Sequence, residues 1–120
     1  MWQNSYDEKN ALYLIPTPIG NLDDMTFRAV ETLKKVDVVF SEDTRVTLNL
    51  FNHFEIKTPM TSYHQHNYAV KGPQLIEKLK AGENIALVTD AGMPGISDPG
   101  EDMAKRCREE GIPVTIAPGA

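Results

Sequence analysis

The sequence contains a single cysteine, Cys107, in 120 residues. One thiol cannot close an internal disulfide, so the oxidised scaffold of a small secreted protein is excluded. Long apolar runs are also missing: none approaches the roughly 20 residues of a transmembrane helix, and residues 1–10 lack the charged-then-apolar layout of a signal peptide. We therefore expect a cytoplasmic protein with no membrane partner, in which Cys107 packs in the core.

Positive charge is scarce as well. Twelve Lys and Arg against seventeen Asp and Glu give a net charge of −5, and both halves of the chain share the deficit. Proteins that hold nucleic acid through its phosphates alone usually present clustered Lys and Arg, because each neutralised phosphate releases counterions. The composition therefore argues against a protein that binds nucleic acid unaided.

Short apolar runs recur at the spacing of βαβ units, over residues 12–16, 36–40, 60–63, 85–89 and 114–117. The run at 85–88 lacks polar alternation, which is typical of a strand buried on both faces. With a helix-length segment between successive runs, the pattern predicts an α/β fold: a five-stranded, mainly parallel sheet flanked by four helices. We expect residues 1–10 to be a polar tail and 11–120 to be one domain, the first half of a larger protein.

Each intervening segment carries apolar residues at helical spacing, which predicts one inward stripe per helix: Phe27, Val30 and Leu33; Leu50, Phe51 and Phe54; Leu75, Ile76 and Leu79; Met103, Ala104 and Cys107. Gly82 and Gly111 are placed to end the third and fourth helices. Pro73 is expected in the first turn of the third helix, because further inside it would remove a hydrogen bond. Asp98 and Pro99 suit the N-cap and first position of the fourth.

Ligands of parallel α/β sheets bind beyond the carboxyl ends of the strands, so the loops after strands are the place to look for chemistry. The loop at 90–100 has three glycines and two prolines, a rigid backbone that a ligand can approach closely, although it would equally serve as a plain connection. Dinucleotide and P-loop motifs are missing. A receiver domain is excluded, because His64 and Pro118 stand where it needs an aspartate and a lysine.

Three segments resemble successive signatures of one family: LIPTPIGNL at 14–22, SEDTR at 41–45 and LVTDAGMPGISDPG at 87–100. They are similar to the ribosomal RNA small-subunit methyltransferase I family, within the tetrapyrrole methylase superfamily. The resemblance runs from about residue 11 to residue 120.

The resemblance implies an enzyme that uses S-adenosylmethionine to methylate the ribose 2′-hydroxyl of a cytidine in the decoding region of 16S rRNA. It also implies a homodimer and two α/β domains, with the cofactor in the cleft between them. This chain matches the N-terminal domain alone, so we expect it to be inactive by itself. In this family the cofactor lies beside the segments that correspond here to Pro18, Ile19 and Gly20, and to Asp90, Ala91, Gly92, Met93 and Pro94.

Methyl transfer to a hydroxyl needs alignment and a group that takes the proton. Glu42, Asp43 and His64 follow strands and are candidate catalytic residues, although Asp43 could instead cap the second helix. Arg45 and Asn67 are candidate contacts to RNA phosphates or bases.

His64 and His66 could bind a metal with Glu42 or Asp90, but two histidines without a compact third ligand are weak evidence, so we predict no metal. Two other functions stay open. One is a methylase that acts on a tetrapyrrole, although the residues of the motifs at 42–45 and 90–92 favour the RNA family. The other is a non-catalytic α/β binding module.

Overall fold

A computed structural model of the chain describes residues 11–17, 25–64, 66–90 and 99–116. Within these ranges five strands alternate with four helices: β1 (Leu12–Thr17), α1 (Phe27–Lys35), β2 (Val38–Ser41), α2 (Thr44–Phe54), β3 (Met60–Ser62), α3 (Tyr68–Lys80), β4 (Ile85–Asp90), α4 (Pro99–Glu109) and β5 (Val114–Ile116). All the strand pairings are parallel. The α/β fold predicted from the sequence is confirmed.

The strands lie in the order β3-β2-β4-β1-β5. From β2 the chain continues outward to β3, whereas from β4 it crosses β1 to reach β5 on the opposite side. The connections therefore diverge between β2 and β4. In open parallel sheets a ligand crevice forms at such a switch point, beyond the carboxyl ends of the strands.

Two apolar cores cover the two faces of the sheet. Alternate residues of β4 divide between them, because successive side chains of a strand point to opposite faces: Ala86 and Val88 join one core, and Ile85 and Leu87 join the other. The first core contains the buried apolar residues of α1 and α2, and the second contains the buried leucines and isoleucine of α3 with Met103 and Cys107 of α4. Cys107 is fully buried in the second core, as expected.

The inward stripe of α1 differs from the prediction at Phe27, which is 80% exposed. The buried residues of this helix are Ala29, Val30, Thr32 and Leu33. At 3.6 residues per turn, Phe27 lies roughly 140° around the helix from the middle of that stripe. Its spacing from Val30 satisfied the pattern, but the centre of the buried face lies elsewhere.

The position of Pro73 was also predicted wrongly. Helix α3 begins at Tyr68, so Pro73 is its sixth residue. The preceding Gly72 has no Cβ to clash with the proline ring in the helical conformation. Ala69, whose carbonyl loses its donor to the proline, is exposed, so water can take the place of that donor.

The helix ends follow the sequence signals more closely. Gly82 and Gly111 have φ of +100° and +76° just beyond α3 and α4, as predicted. Pro99 is the first residue of α4, and Asp98 lies outside the described residues. No helix in the described ranges is long and apolar enough to cross a membrane.

Candidate functional site

A cavity of about 360 Å³ opens at the carboxyl ends of β1, β2 and β4, against the start of α2. This is the switch point of the sheet. Among the described residues, its lining consists of Thr17, Ser41, Glu42, Asp43, Val46, Thr47, Val88 and Thr89. The lining is therefore rich in hydroxyl groups and contains two carboxylates. None of these residues is Lys or Arg.

Hydrogen bonds hold the hydroxyl groups of Thr17, Ser41 and Thr47. The Oγ atom of Ser41 and the Oγ1 atom of Thr47 share a buried hydrogen bond of 2.6 Å. Thr17 Oγ1 donates to the carbonyl of Thr89 at 3.0 Å, which ties the end of β1 to the end of β4. The ends of three strands and the start of α2 are thus fixed around one cavity.

Asp43 is the N-cap of α2. Its Oδ1 accepts from the backbone N–H groups of Arg45 at 3.1 Å and Val46 at 3.3 Å. An aspartate in this position satisfies donors that the helix leaves unpaired and faces the positive end of the helix dipole. The structural role that the sequence left open for Asp43 is therefore confirmed, and the carboxylate also lies in the cavity wall.

Glu42 is half-buried at the end of β2. Its backbone N–H reaches the carbonyl of Val88 on β4, and the hydroxyl of Tyr68 donates to its Oε2 across 3.5 Å. Burial, with Glu42 beside it, raises the pKa of Tyr68 to about 12. The phenol is therefore protonated at neutral pH and acts as a donor to the carboxylate.

The β3–α3 loop holds His64 and Asn67 outside the cavity wall. Asn67 Oδ1 accepts from the backbone N–H of His64 at 2.9 Å, and its Nδ2 donates to Ser62 Oγ at 3.0 Å. The backbone N–H of His66 points at His64 Nδ1 across 3.3 Å. Within the part of the chain that the structure describes, these histidines form no group of three metal-ligating side chains.

Of the remaining predicted site residues, Arg45 is exposed at the second position of α2. Asp90 ends β4, in register with Thr17 of β1. The other cofactor candidates, Pro18, Ile19, Gly20, Ala91, Gly92, Met93 and Pro94, lie outside the described residues. The structure thus brings Glu42 and Asp43 together in one cavity.

The sequence did not single out the four hydroxyl groups of the cavity or Tyr68. Three of the hydroxyls had a detectable signal, because Thr17, Ser41 and Thr89 are polar residues at or next to the carboxyl end of an apolar strand. Thr47 lies on the buried face of α2 with Leu50. Tyr68 contacts a residue 26 positions earlier, and no local pattern marks such a contact.

A family model described as Tetrapyrrole (Corrin/Porphyrin) Methylases matches residues 11–120. The chain belongs to this family. Tetrapyrrole methylases share the fold found here: the chain superposes on the crystal structure of uroporphyrin-III-C-methyltransferase from Thermus thermophilus with a TM-score of 0.71 at 22% identity, over 92% of this chain and 48% of that one.

Curated relatives are more similar in sequence. A protein of Synechocystis named ribosomal RNA small subunit methyltransferase I is 58% identical over 91% of this chain, and one of the same name from Bacillus subtilis is 54% identical over 98%. The resemblance read from the three motifs is confirmed. The chain spans about two-fifths of the length of these two relatives, 39% and 40% respectively.

Proposed function

We propose that these residues are the first domain of a longer enzyme that methylates the ribose 2′-hydroxyl of a cytidine in the decoding region of 16S rRNA, with S-adenosylmethionine as donor. The observation that carries the proposal is the identity of 54–58% to proteins named ribosomal RNA small subunit methyltransferase I. With a ribosomal substrate, the proposed place of action is the cytoplasm.

The cavity suits the proposed cofactor chemically. S-adenosylmethionine supplies an electrophilic methyl group on a cationic sulfonium, and it also carries an ammonium group and a ribose. A wall with two carboxylates and four hydroxyls offers acceptors for the cations and partners for the ribose. Its volume of about 360 Å³ is within the range of small-molecule sites. The proposed cofactor segments, at residues 18–20 and 90–94, directly follow Thr17 and Thr89 of the wall.

Among the three candidate bases, the contacts favour Glu42. Asp43 uses Oδ1 to cap α2, and His64 belongs to the loop outside the cavity wall. Glu42 lines the cavity, and the hydroxyl of Tyr68 donates to its Oε2. We assign Glu42 to orient the ribose hydroxyl and to take its proton, while Asp43 fixes the start of α2.

RNA phosphates need Lys and Arg side chains as partners, and this acidic domain has fewer of them than Asp and Glu in its sequence. Arg45 and Asn67, on neighbouring post-strand segments, are the proposed contacts to RNA phosphates or bases. The remaining phosphate contacts would come from the second domain and from the other subunit of a homodimer. The small ribosomal subunit, rather than free RNA, is the proposed form of the substrate.

The test is mass spectrometry of 16S rRNA nucleosides from a strain that lacks the gene, complemented with the complete enzyme or its Glu42→Gln variant. We expect one 2′-O-methylcytidine to disappear on deletion, to return with the unaltered enzyme, and to stay absent or nearly so with Glu42→Gln. With purified small subunits, kcat of Glu42→Gln should fall by about 10²–10⁴-fold, the usual contribution of a general base.

Glu77→Gln is the matched control, because Glu77 is an exposed glutamate on α3 and its variant should behave like the unaltered enzyme. An unchanged set of 2′-O-methylated nucleosides after deletion would refute the RNA substrate. Methylation of a porphyrin by the purified enzyme would then support the tetrapyrrole alternative.

A further inference from the structure

A row of three aromatic rings leads from the core to Glu42, a residue of the cavity wall. Phe40 of β2 meets Tyr63 edge-on, with ring centroids 6.0 Å apart. Tyr63 in turn packs against Tyr68 at 4.7 Å. Phe40 and Tyr63 are 1% and 3% exposed, so the inner two rings are fixed by the core. The ring of Tyr68 is therefore held at the start of α3 by a rigid neighbour.

The outer end of this row meets Glu42. The Tyr68 hydroxyl lies 3.5 Å from Oε2, at the outer limit of a hydrogen bond. Hydrogen bonds in active sites are often long before ligands bind and shorten in the complex. A glutamate side chain has three rotatable bonds, and a donor on a fixed ring limits the positions that its carboxylate can take.

We propose that Tyr68 is a positioning residue that holds the Glu42 carboxylate at the cavity, so that Glu42 can take the proton of the ribose hydroxyl. This inference rests on the proposed role of Glu42. Tyr68 acts through Glu42 and contacts neither the methyl donor nor the RNA. Its removal should therefore slow the chemical step without weakening the binding of either substrate.

The experiment compares Tyr68→Phe, Glu42→Gln and the double variant in the complete enzyme, with purified small subunits and S-adenosylmethionine. Tyr68→Phe should lower kcat by about tenfold or more, the usual effect of losing a hydrogen bond to a charged group, while KM for both substrates stays within about twofold. In the double variant, kcat should be no lower than with Glu42→Gln alone, because residues that act as a unit are not additive.

Tyr63→Phe is the matched control. It keeps the ring that packs against Tyr68 and removes a hydroxyl whose charged neighbours are Arg106 and Asp102 of α4. Its kcat should stay within about twofold of the unaltered enzyme. Circular dichroism of each variant would show that the fold is kept.

Two results would overturn the inference. One is a Tyr68→Phe variant with unchanged kcat while Glu42→Gln is inactive. The other is a double variant in which the two losses multiply, since this would show that Tyr68 acts independently of Glu42. Full activity of Glu42→Gln, in contrast, would refute the proposed role of Glu42 itself, so the two failures are distinguishable.

Discussion

Replacing Pro73 by alanine should make the protein more stable. Pro73 is exposed in the interior of α3, so its ring is not needed for the core. A proline there removes the backbone donor to the carbonyl of Ala69 and crowds that carbonyl. Alanine restores the hydrogen bond and relieves the clash, and it keeps Gly72 in its place.

The size of the effect follows from two opposing terms. A proline in a helix interior is about 3 kcal/mol less favourable than alanine. It also restricts the unfolded chain, which stabilises the folded state by about 0.4–1 kcal/mol. The net gain for Pro73→Ala should be about 2 kcal/mol. With an unfolding entropy of about 2.1 cal/mol/K per residue, this raises Tm by about 8 °C for 120 residues.

Urea and thermal unfolding followed by far-ultraviolet circular dichroism would measure this gain. The matched control is Pro99→Ala, because Pro99 is the first residue of α4, where its missing N–H removes no bond within the helix. This control loses only the restriction that proline places on the unfolded chain, so it should lower stability by about 0.4–1 kcal/mol, opposite in sign to the gain expected for Pro73→Ala. Equal stability of Pro73→Ala and the unaltered chain would show that α3 already compensates for the proline, and the reasoning would be wrong.

Two further predictions concern buried polar groups. Thr47→Val leaves Ser41 Oγ without its buried partner and should lower the free energy of unfolding by about 1–3 kcal/mol. Adding Ser41→Ala to this variant should cost less stability than Ser41→Ala costs in the unaltered chain, because the hydrogen bond is already lost. Urea titrations of the two single variants and the double variant would measure both effects. Burial raises the pKa of Cys107 from 9.0 to about 11, so the folded state holds this proton more tightly than the unfolded state does. The free energy of unfolding should therefore fall as pH rises from about 9 to about 11. Cys107→Ala should make this pH dependence less steep, and an identical slope in the variant would contradict the assignment.

Strand positions could be predicted because apolar runs mark chain that is buried on both faces. The ends of the strands were harder to predict from the sequence. Thr17 and Asp90 extend β1 and β4 beyond their apolar runs, because parallel pairing uses the backbone and is indifferent to polarity. Val36 is apolar but precedes β2, since its backbone N–H closes α1 on the carbonyl of Thr32. The order of the strands depends on packing between distant segments, which no local pattern encodes.

The residues of the site also fall into those that the sequence predicted and those that it did not. Glu42 and Asp43 were found because they directly follow a strand, and the carboxyl ends of parallel strands converge. Thr47 of the cavity wall and Tyr68, which contacts Glu42, were missed, because each belongs to a helix whose rotation and placement depend on the two cores. Phe27 shows the converse error, where a correct spacing did not reveal which way the helix faces.

The place of β1 between β4 and β5 has a consequence for synthesis on the ribosome. Leu12 pairs with Ile85 and Val114, so both neighbours of the earliest strand are made last. At about 5–20 residues per second, the 73 residues from Leu12 to Ile85 take roughly 4–15 s to make. During that interval the apolar strand β1 has no strand to pair with, although the residues that form α1 and α2 have already been made. The nascent chain is thus open to chaperone binding until β4 emerges, and the sheet closes only when β4 has paired with β1 and β5 has joined the other side of β1.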